Sequence, residues 1–181
     1  NRRLAPTGTQ SIVDAANPRS YTDTRGAATQ QGNVNGHIVR LKEGTGHAAA
    51  TSFTWDIYLF GAETGASADL VNLSGLTAEQ DFSSPDGLWF SSKTGICWIQ
   101  TDDGAYTDVT NCMMLAAVPG TVGDGAKKSI TNVDGAATKT VDTYVSAPLG
   151  DAKLRRFRAG PKDCEITGIV EPPDRTAICV N

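Results

Sequence analysis

Apolar residues along this chain arrive in short runs rather than at helical spacing. HIVRL (37–41), FTWDIYLF (53–60), GLWF (87–90), ICWIQ (96–100), CMMLAA (112–117), KLRRFR (153–158), ITGIV (166–170) and TAICV (176–180) are rich in β-branched, aromatic or other large apolar residues, and Gly, Pro, Asp and Asn punctuate the stretches between them. That pattern predicts strands. LSGLTAEQDF (73–82) is the best helical candidate, and it is short. Residues 1–36 read as polar turn and loop chemistry, with AANPRS and QQGNVNG as punctuation. Residues 119–150 are rich in Gly, Thr, Ala and Asp and too long for a plain hairpin loop, so an excursion is expected there, with a strand at TYV or as a mobile flap. KLRRFR alternates charged and apolar positions as a half-exposed strand does; the rival reading is a patch that steers phosphate.

Two stretches echo each other. PDGLWFSSKTGICWIQ (85–100) and CEITGIVEPPDRTAICVN (164–181) each run acid, apolar strand, turn, apolar strand with a cysteine. Asp86 and Glu165 hold the same place, at the head of the first strand; Cys97 and Cys179 hold the same place in the second. The separation is about two repeats of roughly 40 residues, the period of a propeller blade. The expected fold is therefore all-β: one domain over residues 1–181, a partial β-propeller of a few blades with long loops and little helix, carrying the 119–150 excursion. Acids repeated at strand heads converge on the channel mouth, where like charges repel unless a cation neutralises them. Calcium takes six to eight oxygen ligands, so such a mouth is a metal cradle. The plainer reading of Asp86 is a turn residue between Pro85 and Gly87. Trp55, Trp89 and Trp98 are expected in the core or between blades.

Composition narrows the classes. With 39% apolar and 20% charged residues the chain is an ordinary globular one. A formal charge of -4 without a basic stripe gives no footprint for nucleic acid, and no apolar run reaches the roughly 20 residues of a membrane span. The chain starts at Asn1 and stops at Asn181 without a turn signal, which predicts a piece of a longer polypeptide, with a processed mature chain as the alternative. Cys97, Cys112, Cys164 and Cys179 form no C-x-x-C pair. Cys97 and Cys179 are expected as small buried hydrophobes, unbonded to each other because their repeats lie two blades apart. His37 and His47 lack a partner at ligand spacing, and His37 is expected at a strand edge. Asp56 inside FTWDIY is expected to face solvent by alternation, with the channel as the alternative. Asp102-Asp103-Gly104 matches only a fragment of a calcium loop.

AANPR (15–19), GHIVRLKE (36–43), FTWDIYLFGAE (53–63), FSSPDGLWF (82–90), CWIQTDDG (97–104), MLAA (114–117), LRRFRAGPKDCEITG (154–168) and PPDRTAICVN (172–181) are collinear pieces that resemble the PhoX family of secreted bacterial alkaline phosphatases. The resemblance implies a β-propeller whose axis holds a cluster of calcium and iron ions that binds and activates a phosphate monoester. It implies that Asp86 of SPDG and Glu165 of CEITG are metal ligands, and that the full-length parent is exported to the periplasm or beyond. The chain corresponds to a later part of the family's length, so the remainder of the parent chain, or a partner chain, is expected to cover its open strand edges. PPDRT departs from the family in lacking the glycine usual in that turn. The rival classes are a non-catalytic, calcium-stabilised propeller used for binding and a lactonase-type propeller hydrolase.

Overall fold

The computed structural model describes residues 4, 12–25, 27–45, 48–102, 111–162 and 164–181. Among these are twelve strands and a single helix of four residues, Gly150–Lys153, so the all-β expectation is met. One sheet has the order β3 (His37–Glu43), β4 (Phe53–Phe60), β9 (Ala137–Val145), β8 (Ala126–Asp134). The other has the order β10 (Leu154–Ala159), β7 (Met113–Ala117), β6 (Cys97–Thr101), β5 (Pro85–Phe90), with every neighbour antiparallel. Two hairpins stand apart, β1 (Tyr21–Arg25) with β2 (Ala28–Gly32), and β11 (Ile169–Val170) with β12 (Cys179–Val180). Among the described residues the sheets are not closed into a barrel.

The core forms where the sheets meet. Cys97, Ile99, Met113, Leu115, Ala117 and Leu154 lie on one face of the second sheet and pack with Ile38, Tyr58, Leu59 and Phe82. A second cluster joins Ile57 and Phe60 to Ile130 and Val145 of the β8–β9 hairpin. The last five residues of β4 are buried, because the strand has a cluster on each of its faces. β4 and β9 run parallel and pair only at Ile57↔Val145. Ser146 Oγ fastens that junction by donating to Tyr58 O at 2.6 Å.

Two expectations about elements need correction. Residues 73–82 form turns rather than a helix. The Asn72 amide accepts from Leu76 N at 2.7 Å and donates to Leu76 O at 2.9 Å, offering the backbone side-chain partners in place of helical ones. Gly75, at φ +66, takes a left-handed conformation within the same turn. Residues 21–32, expected as loop, form the β1–β2 hairpin. Residues 126–145 of the excursion form a hairpin of two nine-residue strands in unbroken register, from Ala126↔Val145 to Asp134↔Ala137, so the strand expected at TYV is present within β9 and the flap alternative is not. KLRRFR is a strand, as its alternation predicts. Cys97 and Cys179 are not bonded to each other; Cys97 is buried, and there burial pushes its thiol up to about 11. Cys179 is exposed rather than buried, because β12 is a two-residue strand at the surface.

Asp56 faces neither solvent nor a channel. It is 1% exposed and accepts from Arg40 Nε at 3.0 Å and Nη2 at 2.7 Å. The same guanidinium reaches Asp124 Oδ1 at 2.9 Å and the Pro119 carbonyl, so β3 and β4 hold the 119–124 loop. Burial alone would lower the Arg40 pKa, but bonds to the two carboxylates carry it upward. Asp124, bonded to Arg40 and to the amides of Thr121 and Ala147, is held down to about 2.

A second polar knot lies under the N-terminal segment. Arg19 is fully buried. Its Nε donates to Asn33 Oδ1 at 2.7 Å, Nη2 to Gly36 O at 2.7 Å and Gly61 O at 2.8 Å, and Nη1 to Val71 O. The guanidinium also stacks over Phe60, 4.6 Å from the ring centre. His37 joins the knot. Its Nε2 lies 2.9 Å from the Ala16 carbonyl, which can only accept, so Nε2 carries the proton and Nδ1 accepts from Asn33 Nδ2 at 2.6 Å. Burial and the neighbouring Arg19 lower the His37 pKa below its ordinary 6.5. The unfolded chain then takes up the proton more readily, so stability is full above pH 6.5 and declines as pH falls below it. The urea midpoint should drop between pH 7.5 and 5.5, and His37→Gln should flatten that drop; an equal drop in the variant refutes the assignment.

Candidate functional site

Asp86 lies in β5 at a break in register, between Pro85↔Thr101 and Gly87↔Gln100. The extra residue swells the strand there, and its carboxylate is exposed. Glu165 is exposed in the loop between β10 and β11, beside the buried Ile166 that anchors the loop. Gln100 ties the two places together. It is 2% exposed, stands opposite Gly87 in the β5–β6 ladder, and donates from Nε2 to Gly168 O at 3.0 Å. A Cβ on Gly87 would stand 2.8 Å from Gln100 Oε1, so a larger residue there would push the Gln100 amide aside. The loop is also clamped to the chain end by paired bonds of 2.9 Å between Thr167 and Asn181. Asp86 and Glu165 thus arise on either side of one buried glutamine, and neither carboxylate has a hydrogen bond or ion pair among the described residues.

Cys97 pairs with Phe90 and Cys179 with Val170, in each hairpin the last residue of the first strand. Glu165 differs from Asp86 in preceding its strand rather than lying inside it. The other acids of interest lie elsewhere. Asp56 is committed to Arg40. Asp102 is exposed, with its amide donating to Ser84 O at 3.1 Å. His47, Asp103 and Gly104 fall outside the described residues.

Comparison with known protein families matches residues 7–181 to alkaline phosphatase PhoX. The chain belongs to this family. No curated protein and no solved structure matches it.

Unpaired, exposed carboxylates are the donor type a hard cation takes. Their number falls short: among the described residues no group of three or more His, Cys, Asp or Glu could hold an ion. Asp86 and Glu165 alone are therefore not a complete shell. No helix among the described residues is long and apolar enough to cross a membrane.

Sequence reasoning passed over two features around this site. Gln100 was legible only as a polar residue inside an apolar strand, ICWIQ. The other is a cavity of about 390 Å³ beyond Gln100, on the face of the sheet away from the core. Trp98 and Phe157 meet edge-to-face on its wall, 4.8 Å between ring centres. Lys93, Arg158, Glu171 and Arg175 surround it. Arg175 sits at φ +56, a left-handed conformation that glycine takes without strain.

Proposed function

We propose that this chain is part of a metal-dependent alkaline phosphatase that hydrolyses phosphate monoesters. In this reading Asp86 and Glu165 are anionic ligands in a cluster of calcium and iron ions on the axis of a β-propeller. The family match over residues 7–181 carries the reading. Two features support its finer parts. The β5–β6–β7–β10 sheet is a four-stranded antiparallel meander, the form of a propeller blade. The matched registers at Cys97 and Cys179 put Asp86 and Glu165 ahead of corresponding strand ends.

Bound metal would neutralise phosphate oxygens and orient a nucleophile. The chain's own part is to present two unpaired carboxylates at fixed places, the first in the β5 swelling and the second on the Gln100-braced loop. The edge of β5 leaves Leu88 48% and Phe90 58% exposed beside the core face. We assign that edge to the remainder of the parent chain or a partner chain, since an apolar, unpaired strand edge invites pairing. Export to the periplasm or beyond belongs to the same reading.

The test is hydrolysis of 4-nitrophenyl phosphate by the full-length parent, with calcium and iron content measured on the same samples. Chelation should abolish turnover and calcium should restore it. Turnover that survives complete metal removal sinks the proposal. Metal uptake without ester hydrolysis would point to a binding propeller, and turnover of lactones alone to a lactonase.

A further inference from the structure

We propose that the cavity between the β5–β6–β7–β10 sheet and the β11–β12 hairpin binds an aromatic organic anion, its phosphate-type head held by Lys93, Arg158 and Arg175 and its flat body laid against Trp98 and Phe157. The charges around the cavity are three cations and one carboxylate, in a chain whose formal charge is -4. None of the three cationic side chains has a hydrogen bond or ion pair among the described residues. Glu171 is the exception to the positive rim, and its carboxylate already accepts the Ser91 hydroxyl at 2.8 Å.

The independent sign of a ligand is Trp98. It is 6% exposed and lines the cavity, yet its indole Nε1–H is buried with no hydrogen-bond partner. Buried donors are nearly always satisfied; this one is closed to solvent as the ring now stands, so an acceptor on a ligand meets it once the indole turns slightly toward the cavity. The indole and the Phe157 ring offer a flat apolar wall, where aromatic groups gain from offset or edge contacts. A bare inorganic anion would use the rim and leave that wall wet; a neutral aromatic would use the wall and leave the cations idle. An aromatic ring carrying a phosphate or phosphonate uses both.

The choice of phosphate as head group rests on the phosphatase reading, whereas the site itself needs no metal. The probe is naphthylmethylphosphonate, whose C–P bond a phosphatase does not cleave. It is titrated calorimetrically into the full chain with EDTA present. One-to-one binding is expected. Arg158→Gln and Arg175→Gly should each weaken it about tenfold, the size of one lost charge-assisted hydrogen bond. Trp98→Phe, which keeps a ring and removes the donor, should weaken it several-fold. Arg175→Gly should raise the melting temperature while lowering affinity, a pair that a purely structural arginine would not give. Unchanged affinity in all three variants overturns the proposal, as does inorganic phosphate binding equally well. Binding that appears only with calcium overturns it too, because the phosphonate then sits on metal and the phosphatase reading stands alone. Metal-free binding together with full phosphatase activity in Asp86→Asn supports this cavity and removes Asp86 from the metal reading.

Discussion

Arg19→Met is expected to cost about 4 kcal/mol or more of folding stability, enough to unfold a domain whose total is on the order of 5–15 kcal/mol. The methionine fills much of the volume and keeps the contact with Phe60. It supplies none of the donors that now serve Asn33 Oδ1, Gly36 O, Gly61 O and Val71 O. Each buried acceptor stranded in this way costs roughly 1–3 kcal/mol. Arg19→Lys should fall between, because a single ammonium cannot match a planar fork that reaches carbonyls from separate turns. Urea denaturation of the three proteins, read by fluorescence and circular dichroism, measures the differences. A midpoint for Arg19→Met equivalent to a loss of less than about 1 kcal/mol would overturn this account of the knot, since losses that small are ordinary for single substitutions.

The second large effect concerns activity. In the full-length parent, Asp86→Asn and Glu165→Gln should each lower kcat/KM about 100-fold or more and reduce bound metal in parallel, since even the outer partners of metal ligands cost roughly 10–100-fold when replaced. The double variant should lose little more than either single one, because residues that serve one cluster act as a unit. Melting in the presence of a chelator should be unchanged. Both carboxylates are exposed and make no bond that the substitution could break, and relief of repulsion between acids can only help the metal-free state. With stability silent on either reading, the parallel loss of activity and metal is what separates the metal reading from a structural one. If Asp86 serves only the backbone of the β5 swelling, Asn replaces it with activity and metal content intact. Full activity and full metal content in Asp86→Asn would return it to that role.

Strands with large apolar residues were legible because burial and β-propensity agree in them. FTWDIYLF, ICWIQ and CMMLAA each became a strand close to the expected bounds. The β8–β9 hairpin was not legible beyond TYV. Its inward positions include Asn132 and Thr143 alongside Ile130, Val141 and Val145, so a period of two was present while the apolar half of it was diluted. Asn132 is inward because it receives Ser20 N at 2.6 Å and donates to Pro18 O at 2.9 Å, contacts more than a hundred positions away that no local pattern announces. Asp56 misled for a similar reason. Alternation predicts where a side chain points, and a partner such as Arg40 on the next strand decides whether that direction is wet. Of the site, the two acids were legible as a repeated placement. The glutamine bracing them was not, because its role depends on a backbone carbonyl 68 positions away.

The meeting of β4 and β9 at a single residue pair also sets an order of events during synthesis. Tyr58 and Ser146 are 88 positions apart, so β4 leaves the ribosome long before the strand that will flank it. At about 5–20 residues per second, the interval is roughly 4–18 s. Local hairpins close in microseconds, so β3–β4 and β5–β6 can form within that time while the far edge of β4 waits. During those seconds the nascent chain carries an apolar strand edge with no partner of its own yet made, and whatever shields it then, chaperone or neighbouring strand, governs how much of the protein reaches its native sheet.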